Sequence, residues 1–185
     1  MHEHLASWNR RPEPADYPAY FERYIRLVPD GDILETLARQ MEESAAFLAA
    51  ISDDRARFRY APGKWSVKEV VGHVIDSERV FAYRGLRFAR SDRTPLPGFD
   101  ENAYVAVAGF DRRPLADLAG ELRLVRAASI ALFEGFDEAA LVRHGAANDR
   151  EHVARSVPWI IAGHELHHMD VVRKRYLYTA AVAER

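Results

Sequence analysis

The sequence predicts an all-α protein, a four-helix bundle with long inter-helix loops. Four long stretches place their apolar residues at helical rather than alternating spacing. No stretch reads as a convincing strand. No internal repeat or linker divides the 185 residues, a length suited to one domain with a substantial core. Helices with one apolar stripe each bury those stripes against one another, which makes a bundle the expected architecture.

Residues 1–29 read as an irregular N-terminal segment. The aromatic-rich stretch 17–27 within it is expected to form a short helix packed as an outer flap. The core bundle is expected over about 33–178. Asp30-Gly31-Asp32 makes a turn and a helix start, and Ile33, Leu37, Met41, Phe47, Leu48 and Ile51 set the stripe of a first long helix over 33–52. Ser66 and Glu69 form a capping box, with Trp65 and Val70 at the staple positions. A second long helix follows over 66–90, its stripe running through Val67, Val70, Val71, Val74, Phe81 and Phe88. Residues 91–99 contain Pro95, Pro97 and Gly98 and read as a loop, followed by a short helix over 101–108. Pro114 in a first turn opens the third long helix, 114–134. Residues 144–152 are polar and read as a loop, which leaves His144 and His152 solvated. The fourth long helix spans 154–178, with Pro158 tolerated near its start. Such long loops do not guarantee a simple up-down-up-down order.

Composition narrows the function. The chain is 48% hydrophobic and 29% charged with net charge −2, so nothing suggests general affinity for nucleic acid or an anionic membrane. Only three of the 26 basic residues are lysines, a composition bias with little functional content. The absence of cysteine excludes disulfides, thiolate metal sites and a cysteine nucleophile. No segment approaches the ~20 apolar residues that span a bilayer, and residues 1–14 lack a signal-peptide core. The expected location is the cytoplasm.

The fourth long helix carries the most informative pattern. At about 100° per residue, Val157, Ile161, His164, His168, Val171 and Val172 share one face. A core-facing stripe therefore carries two imidazoles one turn apart. A buried imidazole without a partner costs roughly 1–3 kcal/mol, and a metal ion satisfies both rings because i and i+4 side chains converge. His167 lies at the edge of the face, so the pair nearer its centre, His164 and His168, is preferred. On the second long helix, Glu78 sits within the apolar stripe and His73 on its flank, about 140° apart. Taken alone, His73 is either a boundary histidine or a ligand.

Lys64-Trp65-Ser66 leading into Gly72-His73-Val74-Ile75-Asp76-Ser77-Glu78, with Gly163-His164-Glu165-Leu166-His167-His168 far downstream, resembles the DinB/YfiT-like metalloprotein superfamily over roughly 33–178. The resemblance implies a four-helix bundle of DinB/YfiT type and a three-histidine site formed by His73, His164 and His168. It further implies zinc or nickel as the metal, water or substrate at open positions, and frequent dimers. Some members are similar to thiol-dependent S-transferases or to maleylpyruvate isomerase. The family name carries no implication of DNA binding.

Three functions follow for comparison. The first is a divalent-metal-dependent enzyme, of thiol-dependent S-transferase or hydrolase type, acting on a small molecule, with a low-molecular-weight thiol as a candidate partner. Glu78 is its candidate acid/base group, or else a structural acid paired with an arginine such as Arg84 or Arg126. The second is a non-catalytic, metal-stabilised protein that binds a small molecule in a stress response. The third is a zinc protease, since His164-Glu165-Leu166-His167-His168 matches H-E-x-x-H with Glu165 as base. Against the third, Val171 replaces the glycine that an extended motif requires, and no edge strand is evident to pair with a peptide.

Overall fold

The computed structural model describes residues 8–177. Residues 1–7 of the expected N-terminal segment and the expected helix end at 178 lie outside that range. Mostly helical, the chain adopts the predicted bundle. A short α1 (Glu22–Ile25) follows two 3-10 turns. The first long helix is α2 (Ile33–Ala49), the second α3 (Val67–Ala89), and between the second and third lies a short α4 (Glu101–Ala108). The third long helix is α5 (Leu115–Glu134), then a single turn α6 (Glu138–Leu141), a hairpin β1 (His144–Ala147) and β2 (Arg150–Val153), and the fourth long helix α7 (Ser156–Val171). A π-helical stretch, Val172–Leu177, continues α7.

Local chemistry fixes the helix starts. Asp32 caps α2 by accepting from the Leu34 and Glu35 amides at 2.7 and 3.2 Å. Ser66 accepts from the Glu69 amide at 3.1 Å while Glu69 accepts from the Ser66 amide at 2.8 Å, the reciprocal box that starts α3. Pro158 falls in the first turn of α7, where its missing N–H has no intrahelical acceptor to lose.

The long helices are not arranged in chain order. α2 packs on α5 and α7, and α3 packs on the same two. The consecutive helices α2 and α3 therefore stand diagonally across the bundle, an arrangement that the long connection 50–66 permits. The core has two apolar parts. One gathers Ile33, Leu37, Phe88, Phe133 and Trp159; the other gathers Leu48, Val71, Leu118, Met169 and Tyr176. Between them each long helix contributes polar side chains at one level: Gln40 and Ser44 from α2, Glu78 from α3, Arg126 from α5 and Glu165 from α7.

Two sequence expectations change here. Residues 144–153 form an antiparallel hairpin in place of a loop, with His144 opposite Val153 and Ala147 opposite Arg150. Asn148 and Asp149 both take positive φ, 52° and 57°, the backbone of a tight two-residue turn that Asn and Asp tolerate. The two histidines also separate. His144 is exposed, whereas His152 is 4% exposed and stacks on Phe88 with ring centroids 5.7 Å apart.

Candidate metal centre

The site is built where α3 passes α7. Spacings of four, four and three residues put His73, Ser77, Phe81 and Arg84 along one face of α3. His164 and His168 are one turn apart on α7. Ring centroids are 5.0 Å apart for His73 and His164, 4.8 Å for His73 and His168, and 4.5 Å for His164 and His168. One nitrogen from each of the three lies within 4.8 Å of the others. His167 is outside this group; its ring sits against Tyr24 at 5.4 Å.

The donor set suits a divalent ion. His73 Nε2 is 3.1 Å from His164 Nε2. Two nitrogens at about 2.0–2.1 Å from a shared ion, with an angle near 90–110°, stand about 3 Å apart. The outer nitrogen of His73 lies 3.4 Å from Ser77 Oγ. In that position the hydroxyl can accept a hydrogen bond from Nδ1–H, leaving the Nε2 lone pair toward the cluster. Burial keeps the imidazoles neutral. It pushes His73 down to about 4. It pushes His168 to about 3, helped by the charge that His73 and His167 would carry, and it holds His164 well below its ordinary value. Neutral imidazole is the form that ligates.

Around the cluster lies a cavity of about 870 Å³. Tyr24 closes one side, its ring edge-on to His164 at 5.3 Å. The approach depends on Gly163, where a Cβ would overlap the Tyr24 carbonyl. Trp65 covers His73 at 4.9 Å. The N-terminal segment contributes Phe21 and Arg23 to the wall, and the loop 91–99 contributes Gly98 and Phe99. That loop is pinned to the hairpin: the Leu96 amide donates to Ala146 O and the Asn148 amide to Leu96 O, both at 2.9 Å.

The acid candidates of the sequence lie elsewhere. Glu78 accepts two bonds from Arg126, at 2.8 and 2.9 Å, and does not line the cavity. Glu165 accepts from Arg126 at 2.5 Å and from Ser44. Both are 2% exposed. Glu78 is thus paired with Arg126 and not Arg84, and Glu165 shares the same guanidinium. Burial disfavours the Arg126 cation, but the two carboxylates outweigh it and hold the guanidinium charged. Several cavity residues escaped the sequence reading, Glu101, Arg84 and His152 among them. Glu101 is the one acid on the wall among the described residues, and its charge raises the affinity of His73 for a proton. Arg84 and His152 complete the far side.

A family model of the DinB superfamily matches residues 36–172. The chain belongs to the DinB superfamily. No curated protein matches it. Among solved structures, YfiT from Bacillus subtilis, described as a probable metal-dependent hydrolase with an unusual four-helix bundle topology, is similar with a TM-score of 0.65. The match covers 90% of this chain and 93% of that one at 17% identity, so the likeness is one of fold.

Proposed function

We propose that this protein is a divalent-metal-dependent enzyme acting on a small molecule, a hydrolase or a thiol-dependent transferase. His73, His164 and His168 would hold one zinc or nickel ion. The observation that carries the reading is the convergence of three desolvated imidazoles on the wall of a cavity large enough for a substrate. A bound ion with an open position supplies Lewis-acid polarisation and lowers the pKa of bound water toward ~7, or holds a thiolate.

The chain's own residues do the rest. Ser77 orients His73 through Nδ1. Tyr24 and Trp65 exclude water from two sides of the cluster. Glu101 is the carboxylate placed to take a proton at the cavity wall, because Glu78 and Glu165 are committed to Arg126. The expected working form is a homodimer in the cytoplasm; among the described residues no helix is long and apolar enough to cross a membrane. A non-catalytic small-molecule binder with the same metal is the second reading. It is favoured by one observation, that among the described residues no hydrogen bond joins a carboxylate to the three imidazoles.

Elemental analysis of purified protein tests the metal. Wild type should carry close to one equivalent. His73→Ala, His164→Ala and His168→Ala should each lose it, and His167→Ala should retain it. Retention by all four variants would refute the site. A screen of ester hydrolysis and thiol conjugation on the loaded protein then separates enzyme from binder, with Glu101→Gln expected to slow turnover while metal content stays unchanged.

A further inference from the structure

Arg84 is 7% exposed and faces the cavity. Its Nη2 donates to Pro97 O at 2.9 Å, and its guanidinium stands 5.9 Å from the Phe99 ring centre. No carboxylate lies within ion-pair distance of it among the described residues. Every other strongly buried cation of the fold has its anion: Arg126 has Glu78 and Glu165, and Lys68 has Asp53. A guanidinium withdrawn from water without a counter-charge is costly, and removing that cost requires an anion from outside the chain. The neighbouring His152 already feels this charge, since burial and then Arg84 push it down to about 4. Arg23 and Arg150 also line the cavity, and among the described residues neither has a carboxylate partner and Glu101 is the single acid on the wall. The wall is therefore net positive.

We propose that Arg84 is the anion anchor of the cavity and receives the carboxylate of a small substrate whose other end reaches the histidine cluster. This rests on the reading of the cavity as the substrate site. The fork of a guanidinium matches a carboxylate bidentately, and the Pro97 carbonyl fixes its orientation. His73 and Arg84 are eleven residues apart on one face of α3, about 16 Å between Cα atoms at 1.5 Å per residue. Helical side chains lean toward the helix N-terminus and arginine is longer than histidine, so their functional ends stand closer than the Cα atoms do. Phe81 lies between them on the same face, its ring 5.7 Å from His164 and 5.9 Å from Phe21. The substrate class is thus a carboxylate with an apolar middle and a reactive group at the far end.

The test uses 4-phenylbutyrate and its neutral partner 4-phenylbutanamide, titrated by calorimetry into the full-length protein. Metal-free protein comes first, because a carboxylate can also ligate zinc directly. Wild type should prefer the acid to the amide by about tenfold or more. Arg84→Gln should abolish that preference and Arg84→Lys should retain part of it. A preference that survives Arg84→Gln overturns the proposal, as does one seen only in zinc-loaded protein, one lost on Arg23→Gln or Arg150→Gln instead, or no binding at all. Metal content is measured separately, so failure of the metal site and failure of the anchor read out differently. Arg84→Met adds a second measurement. If the arginine is kept for a ligand, the variant should melt at or above wild type; a fall of more than about 5 °C marks a structural residue and also overturns the proposal.

Discussion

Arg126 is 1% exposed and lies between two carboxylates that are equally buried. Its Nη1 also reaches Leu37 O at 3.3 Å, so one side chain ties α2, α3, α5 and α7 together. Taking it away leaves Glu78 and Glu165 facing each other without compensation, and breaking a buried pair from one side costs about 3–5 kcal/mol. Arg126→Ala is therefore expected to lose about that much in urea denaturation. Glu78→Gln should lose less, because Glu165 still neutralises the guanidinium. A near-neutral Arg126→Ala would mean the polar layer does not hold the helices. The sequence made Glu78 visible, since an acid inside an apolar stripe needs a reason, but it left the partner open between Arg84 and Arg126. Six residues put Arg84 about 120° round α3 from Glu78, and the packing of α5 on α3 supplies Arg126 instead. The pair His164 and His168 was legible from spacing, because the periodicity of one helix is a local property. His73 stood on the flank of its stripe and needed the resemblance to join them.

Among the secondary elements, the contact between α1 and α7 sets Tyr24 beside the cluster. At Gly163 a Cβ would run into the Tyr24 carbonyl and its neighbours, which are backbone atoms and cannot rotate away. Gly163→Ala should push α1 outward and destabilise the fold by roughly 1–3 kcal/mol, even though alanine is the better helix former. Thermal melts check the loss, and faster proteolytic cleavage within residues 17–27 would localise it to the flap. A variant as stable as wild type, with an unchanged cleavage pattern, would show that α1 does not bear on α7. The flap was legible as an aromatic cluster ahead of the first long helix. The hairpin was not. Its strands are four residues each, His144–Ala147 and Arg150–Val153, and only Val153 is β-branched. Pairing to each other and to Leu96 fixes them, and such pairing leaves no local period to read. His152 was misplaced for the same reason: its ring packs against Phe21 and Phe88, which the topology brings to it.

For the molecule as a whole, four amphipathic stripes foretold a bundle but not which helices would be neighbours, because a stripe says that a face is buried and not against what. The diagonal placement of α2 and α3 leaves α3 beside α7, and this brings histidines 91 residues apart in sequence to 3.1 Å. The same burial has a consequence for stability against pH. Burial lowers His73 and His152 to about 4 and His168 to about 3, and holds His164 well below its ordinary value. All start from an ordinary value of 6.5. Above that value neither the folded nor the unfolded chain holds these protons, and they contribute nothing to the pH dependence. As pH falls below it, the unfolded chain takes up protons that the folded chain refuses. Stability then drops, until the folded histidines titrate near 4 and 3 and the loss levels off. The metal-free protein should thus be most stable above about pH 6.5 and weaken steadily toward pH 4. Each histidine steepens the slope by up to about 1.4 kcal/mol per pH unit. His152 is the residue to test, since it is buried but lies outside the three-imidazole cluster. His152→Leu should flatten the slope of unfolding free energy between pH 6 and 5 by up to that single-proton amount, measured by urea titration of metal-free protein. An unchanged slope would mean that His152 titrates normally in the fold, and that the hairpin opens to water more readily than its packing against Phe88 implies.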